Sequence, residues 1–253
     1  MNVIQERLAA LRAKMQENGI NYYVVPTADF HQSEYVGEHF KARMFITGFS
    51  GSAGTAVIGL DGAWLRVDGR YFLQAGAQLE GTTVELMKMG EPGVPTLDAF
   101  LDSKLVKGDK LGFDGRVVSM DEGSLYEGIA LKHGGCIEYS LDLIDEIWID
   151  RPPLSEKPAF ELDVKYAGKT VADKLSDIRE KMAAAEADMH VVTTIDDICW
   201  TLNIRGDDID FFPLILSYAL MDDKAYHLYI DERKLSDEIK AHLTADGVVL
   251  HPY

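Results

Sequence analysis

The residues of this chain that could bind a metal are two acidic pairs and seven scattered histidines. The pairs are Asp196-Asp197 and Asp207-Asp208, and the histidines form neither an H-E-x-x-H motif nor a paired-histidine helix. Adjacent side chains point in different directions on a helix or a strand, so each pair is better explained by helix caps and solvated charges. The sequence therefore predicts no metal site and no catalytic residue in this chain.

A glycine- and serine-rich segment, residues 48–54 (GFSGSAG), is the next candidate for chemistry. It lacks the lysine and the spacing of a P-loop, and Ser50 and Ser52 do not fit the G-x-S-x-G nucleophile motif. Small residues let a loop pack tightly before the strand that follows, so a structural role is favoured. Cys199, in the apolar run DICWTLNI, is predicted to be a buried hydrophobic side chain and not a reactive thiolate.

Arg70 is the candidate for a binding residue. It follows Asp68 and Gly69 at the predicted start of a helix, where the positive end of the helix dipole disfavours a guanidinium. Two interpretations remain open on the residues alone: a bidentate clamp on a carboxylate, or a salt bridge to Asp68. Arg205, in NIRGDD, is predicted to form an ion pair with its acidic neighbours, and Trp200 to pack in a core or at an interface.

Composition narrows the class of protein. The chain has 253 residues, 42 acidic against 25 basic, and a formal net charge of −17, which predicts repulsion from nucleic acids and anionic membranes. Two cysteines exclude a disulfide framework and a four-cysteine zinc site. No segment approaches the roughly 18 apolar residues of a membrane span, and no apolar secretory region is seen near the start. We therefore expect a soluble, cytoplasmic chain.

The elements that must position these residues alternate between helices and strands, which predicts a mixed α/β sheet. Apolar residues recur at helical spacing from Leu8 to Met15, and two apolar runs around Asp61-Gly62 predict a hairpin whose following helix is capped by Asp68. The other predicted strands are residues 21–26, 84–89, 110–113 and 136–139, and the other predicted helices are residues 31–40, 96–105 and 121–132.

The second part of the chain repeats the first. Three prolines in residues 150–158 predict a boundary between domains 1–151 and 152–253. A shift of 167 residues aligns the apolar helical positions of the two parts, and a shift of 163 places the hairpin over residues 218–233. The second shift also brings Asp68 and Arg70 onto Asp231 and Arg233. The pattern predicts an internal duplication in which the second domain is incomplete at its C-terminus.

Several motifs together resemble one family. They are D-F-H-Q-S-E-Y (residues 29–35), F-x-x-G-F-S-G-S-A-G-T-A (45–56), D-G-R-Y-F-L-Q-A (68–75), I-W-I-D-R-P (147–152) and VVTTIDDICWTLNIRG (191–206). This combination is similar to the amino-terminal part of cytosolic Xaa-Pro aminopeptidases (aminopeptidase P). The resemblance implies two tandem creatinase/prolidase N-terminal-type domains, each a mixed β-sheet flanked by helices. It also implies a further metallohydrolase domain, not matched here, that holds two divalent metals, usually manganese.

The resemblance carries expectations about function. The parent enzyme would remove the residue that precedes proline from short peptides, while this part shapes the cleft, contacts substrate through Arg70 and aids homodimer formation. This chain alone would then be inactive and would hold no cofactor. The alternatives are a free-standing peptide- or protein-binding module that has lost catalysis, and part of a prolidase- or creatinase-like hydrolase of other specificity.

Overall fold

A computed structural model describes residues 2–253 as two compact units, one ending at Pro152 and the other beginning at Pro153. Each unit is built on a mixed β-sheet with helices packed against it, which confirms the predicted fold class. Residues 151–159, which carry the prolines, adopt neither helix nor strand. The missing amide hydrogen and the fixed φ of proline account for this extended segment.

The first unit contains a six-stranded sheet in the order β4-β3-β2-β1-β5-β6. Strand β2 pairs antiparallel with β1 and β3, and the outer pairs are parallel. The elements are α1 (Val3–Glu17), β1 (Tyr22–Pro26), α2 (Ala42–Thr47), β2 (Thr55–Gly59), β3 (Ala63–Val67), α3 (Phe72–Gln78), β4 (Glu85–Lys88), α4 (Leu97–Lys104), β5 (Lys110–Phe113), α5 (Met120–Lys132) and β6 (Cys136–Glu138).

The helix predicted over residues 31–40 is wrong. That segment forms turns and a short 3₁₀ helix, Glu38–Phe40, and the α-helix begins later, at Ala42. The buried Asp29 carboxylate explains the difference, because it accepts hydrogen bonds from the backbone amides of His31 (2.8 Å) and Ser33 (2.9 Å). A side chain that captures local amides in this way offers the backbone a turn in place of a helix.

The second unit has a four-stranded sheet in the order β12-β11-β10-β8 and a separate two-stranded pair, β7-β9. Its elements are β7 (Phe160–Glu161), α6 (Val164–Ala167), α7 (Val171–Ala184), β8 (His190–Val192), α8 (Ile195–Thr201), β9 (Ile204–Arg205), β10 (Ser217–Met221), β11 (Tyr226–Ile230), α9 (Asp237–Ala245) and β12 (Val248–His251).

The four-stranded sheet of the second unit has the same strand order and central register as strands β4-β3-β2-β1 of the first. Val25 faces Ala56 in the first unit, and Val192 faces Ala219 in the second. These are the same two positions after shifts of 167 and 163 residues. A one-residue slip would turn every side chain to the opposite face of the sheet, so the shared register is specific evidence that the two units have the same fold. It confirms the internal duplication predicted from the sequence.

The units differ in what covers the second face of each sheet. In the first unit, α4 and α5 contribute Phe100 and Tyr126 to a core that includes Val24 of β1. In the second unit the position equivalent to Val24 is Val191, which is 66 % exposed. Leu220, on the neighbouring strand and opposite Val191, is only partly buried. This face of the second sheet therefore exposes apolar side chains to solvent, and the same row of paired residues also contains His227.

Candidate functional site

Arg70 lies on the surface at the corner that follows β3. Asp68 caps the 3₁₀ turn Gly69–Tyr71, and its carboxylate accepts the backbone amide of Arg70 at 3.0 Å and the side-chain Nε and Nη2 at 2.9 Å each. These hydrogen bonds, first those from the guanidinium, lower the pKa of Asp68 to about 2. We call residues 68–70 the first corner. The salt bridge weighed in the sequence analysis is present, and the binding role of Arg70 stays a prediction.

One guanidinium nitrogen of Arg70 is left available by this arrangement. Nε and Nη2 both bind the Asp68 carboxylate, whereas Nη1 has no acceptor within residues 2–253. The Arg70 side chain is 63 % exposed. An arginine has five N–H donors in a planar fork, so one that is tethered along a single edge can still present its other edge to a carboxylate or carbonyl oxygen.

The loop of residues 48–54 packs against Tyr71, the residue that follows the first corner. Tyr71 shares a hydrogen bond of 2.7 Å with Ser52 and packs edge-on against Phe49, with ring centroids 5.6 Å apart. A Cβ atom added to Gly51 would lie 2.2 Å from the Phe49 ring and 2.8 Å from the Tyr71 ring, so the loop admits no larger residue there. This confirms the structural role predicted for residues 48–54.

Arg43 is a structural residue that the sequence analysis missed. Its guanidinium is buried and donates to the carbonyl oxygens of Phe49 and Gly51 and to Thr27 Oγ1 at 2.9 Å. Burial lowers its pKa to about 10. No sequence signal distinguishes this arginine, since the acceptors are backbone carbonyls that carry no residue type.

The second unit repeats the corner at Asp231 and Arg233. Asp231 caps the 3₁₀ turn Glu232–Lys234 and accepts the backbone amide of Arg233 at 3.1 Å, its Nε at 2.9 Å and its Nη2 at 2.7 Å. Here Nη1 also has a partner, because it lies 2.6 Å from the carboxylate of Glu156. We call residues 231–233 the second corner. Its guanidinium is bound by two acids, where that of Arg70 is bound by one.

A groove of about 400 Å³ adjoins the second corner and is lined in part by Leu216 and Tyr253. Arg233 lies on its wall, together with Asp231 and Glu232. Because the guanidinium is already compensated by two carboxylates, the groove offers no unpaired cation to an acidic ligand.

The residue after each arginine secures a loop, by different chemistry in the two units. Tyr71 uses the neutral hydrogen bond to Ser52, whereas Lys234, at the equivalent position, forms a 2.7 Å ion pair with Asp208. Both side chains of the pair are buried, and the Asp208 carboxylate also accepts the amide of Leu216 at 2.7 Å. The sequence prediction of solvated charge was therefore wrong for Asp208.

The remaining candidates divide into confirmed and corrected predictions. Cys199 is buried, and burial raises the pKa of its thiol to about 11, as expected of a hydrophobic core residue. Arg205 was predicted to pair with acids, but it donates to the carbonyl oxygens of Cys199 (2.7 Å) and Ile204 (2.8 Å), and no ion pair involves it in residues 2–253. Asp196 and Asp197 lie exposed in the first turn of α8, where a helix favours negative charge.

The described side chains do not cluster as the ligands of a metal ion would. Within residues 2–253 no group of three or more histidine, cysteine, aspartate and glutamate side chains could hold a metal ion. The side chains of residues 2–253 therefore do not fit a two-metal centre, which needs several ligands that converge on one point. The helices over the same residues include none with the length and apolarity needed to cross a membrane.

Comparison with known proteins places these features in a family. Residues 7–134 match the profile of the creatinase/prolidase N-terminal domain, and residues 150–253 match a second profile of the same description. The chain belongs to the creatinase/prolidase N-terminal domain family. Its two units are thus two members of one family in tandem, in agreement with the duplication.

Longer relatives match nearly the whole chain. A probable Xaa-Pro aminopeptidase P of Neurospora crassa is 41 % identical over 251 residues, which are 98 % of this chain and 36 % of the relative. Aminopeptidase P1 of Lotus japonicus is 38 % identical over 99 % of this chain and 38 % of the relative. A crystal structure of X-prolyl aminopeptidase from Caenorhabditis elegans also matches, with 35 % sequence identity and a TM-score of 0.93. The match covers 100 % of this chain and 43 % of that one, which is described as a cytosolic enzyme with a di-nuclear active site. The chain thus spans about two fifths of the length of these relatives.

Proposed function

We propose that this chain is the non-catalytic amino-terminal part of a cytoplasmic, metal-dependent Xaa-Pro aminopeptidase that removes the residue preceding proline from short peptides. The observation that carries the proposal is the match to X-prolyl aminopeptidase from C. elegans over the full chain, at a TM-score of 0.93. In this proposal the two divalent metals, manganese by preference, bind outside this chain, since its own described side chains provide no ligand set.

Within that enzyme, Arg70 acts as the substrate-contacting residue of this part. Its Nη1 edge is exposed and unpaired, and Asp68 fixes the orientation of the guanidinium through two side-chain hydrogen bonds. A guanidinium held in this way can bind a peptide carboxylate or carbonyl with little loss of side-chain freedom. The two domains would also narrow the cleft, so that only short peptides enter, and would contribute to a homodimer.

The second domain is proposed to be completed by further polypeptide. The exposure of Val191 supports this, because the first domain covers the equivalent residue with α4 and α5. Burying such a face contributes about 25 cal/mol for each Å² of apolar surface removed from water. We therefore expect further polypeptide to cover this face of the second domain in the longer protein.

The experiment is an assay of Xaa-Pro peptide hydrolysis, with and without manganese, on the purified 253-residue chain and on the polypeptide encoded by the complete reading frame. The proposal expects hydrolysis only by the longer polypeptide. Turnover that follows the 253-residue chain through purification would contradict the assignment of catalysis to another region. Lack of hydrolysis by both would favour a peptide- or protein-binding module.

A further inference from the structure

An aromatic ring and a cation are paired at the same place in both domains. Arg7 of α1 donates from Nη1 to the carbonyl oxygen of Phe45 at 2.8 Å, and its guanidinium carbon lies 4.0 Å from the centre of the Phe45 ring. Lys174 of α7 donates to the carbonyl oxygen of Trp200 at 2.6 Å, and its Nζ lies 4.2 Å from the Trp200 ring. The 167-residue shift relates the two cations. One residue thus joins α1 to α2 in the first domain and α7 to α8 in the second.

The two rings differ on their other face. In the first domain, Trp148 stacks on Phe45 with ring centroids 4.6 Å apart and planes inclined by 14°, which leaves Phe45 only 6 % exposed. Trp148 belongs to the segment that leaves the sheet after β6. In the second domain no described residue stacks on Trp200, and Trp200 is 49 % exposed.

The Lys174 ammonium, which lies against the Trp200 ring, is buried in an environment that disfavours a charge. Lys174 is 1 % exposed, and its ammonium donates to two neutral oxygens, those of the Trp200 carbonyl and the Asn203 side chain, each at 2.6 Å. Burial lowers its pKa. A buried ammonium without a carboxylate partner is costly, and it fixes the indole against one side of the helix pair. A rigid, half-exposed tryptophan is the type of side chain that anchors interfaces.

We infer that the open face of Trp200 is a docking site for an aromatic side chain from the segment that follows the second domain in the longer protein, the counterpart of the segment carrying Trp148. This inference rests on the proposed function. The length of the relatives supports it, because this chain covers only 36 % to 43 % of those described above. The exposed carboxylates of Asp196 and Asp197, one turn before Trp200, further indicate that a basic residue accompanies the aromatic one.

The docked segment of the first domain also carries a basic residue, which pairs with an acid of the same segment. Arg151 follows Trp148 by three residues, lies 5.7 Å from the centre of its ring and pairs with Asp142 at 2.6 Å. The occupant expected on Trp200 is thus an aromatic residue with an arginine or lysine nearby. Stacked aromatic pairs stabilise a contact beyond the area that they bury, and a tethered segment needs little additional affinity to stay docked.

Acrylamide quenching of tryptophan fluorescence tests the docking. A Trp64→Phe/Trp148→Phe variant keeps Trp200 as the single tryptophan of the 253-residue chain, and any tryptophan beyond Tyr253 is also replaced by phenylalanine. We expect the quenching constant of Trp200 to fall at least threefold from the 253-residue chain to the full-length protein. The matched control retains Trp148 in place of Trp200 and should change little, because its ring is already stacked on Phe45.

The outcomes separate this inference from the proposed function. Equal quenching of Trp200 in the two proteins contradicts the docking site, even if the full-length protein hydrolyses Xaa-Pro peptides. A protected Trp200 in a full-length protein without that activity supports the docking and contradicts the proposed function. Protection that appears in the 253-residue chain as its concentration rises would assign a second copy as the occupant, and would also overturn the inference.

The occupant is identified by substitution in the full-length protein. Trp200→Ala should increase hydrogen exchange in the segment that follows Tyr253, whereas Trp200→Phe, which keeps an aromatic ring, should leave it unchanged. If the two variants behave alike in that segment, the ring does not hold it and the inference is wrong. Urea unfolding of both variants in the 253-residue chain corrects for any loss of fold.

Discussion

The two corners, residues 68–70 and 231–233, share the hydrogen bonds between aspartate and arginine and differ in the number of acids that bind the arginine. Each aspartate caps a 3₁₀ turn and binds the Nε and Nη2 of the arginine two residues later. In the second corner Glu156 occupies the remaining nitrogen, and in the first no described residue does. The corner recurs in both units, and only in the first does the arginine Nη1 lack an acceptor among the described residues.

The residue that follows each arginine has the same structural role in both units but uses a different interaction. Tyr71 and Lys234 both tie the turn to the loop before the hairpin, one through Ser52 and the other through Asp208. A neutral hydrogen bond and a buried ion pair therefore perform the same structural task. Their energetic consequences differ, because removing one partner of a buried pair leaves an uncompensated charge.

The largest effect is expected from Asp208→Ala. It leaves the Lys234 ammonium buried without its partner and should lower the free energy of unfolding by about 3–5 kcal/mol. Urea denaturation followed by circular dichroism measures this. The matched control is Asp207→Ala, whose exposed pair with Lys157 should contribute less than about 1 kcal/mol. Equal destabilisation by the two variants would contradict the structural role of the Asp208–Lys234 pair.

A smaller effect is expected in the first domain. Ser52→Ala and Tyr71→Phe each remove one side of the 2.7 Å hydrogen bond and should each cost about 1 kcal/mol of unfolding free energy. The double variant should cost less than the sum, since both changes remove one shared interaction. Additive losses in this double-mutant cycle would show that the two hydroxyls do not interact in solution.

The smallest effect concerns the titration of the two capping carboxylates. The pKa of Asp68 is lowered to about 2 and that of Asp231 is also lowered, each chiefly by hydrogen bonds from its arginine. A depressed pKa contributes stability above the unfolded value of about 3.9, and this contribution is lost as the pH falls through the folded value. Carbon-detected NMR should show the pKa of Asp68 rising from about 2 in the wild type toward its usual range in Arg70→Ala, where only the backbone hydrogen bonds still lower it. An unchanged titration in the variant would show that the arginine side chain does not cause the lowered pKa of Asp68.

Much of the fold could be predicted because it depends on residue type and spacing. The D-G hairpin, the alternating elements and the repeated Asp-x-Arg corners all follow from local patterns, and the 167-residue shift would also have aligned Lys174 with Arg7. The burial of Asp208 could not be predicted, because adjacency to Asp207 says nothing about which carboxylate meets Lys234 across the fold. The acceptors of Arg43 and Arg205 are backbone carbonyls, which leave no trace in the sequence.

The claim that Arg70 Nη1 is available to substrate, whereas Arg233 Nη1 is paired with Glu156, is tested by the kinetics of the full-length protein on Xaa-Pro peptides. Hydrogen bonds to charged groups contribute about 1.5–3 kcal/mol, so Arg70→Ala should lower kcat/KM by roughly tenfold to a hundredfold. Arg233→Ala, its matched control, should change kcat/KM by less than about twofold, because each of its three side-chain nitrogens already has a carboxylate partner within the domain. Equal values for Arg70→Ala and the wild type, or equal losses in both variants, would contradict the claim.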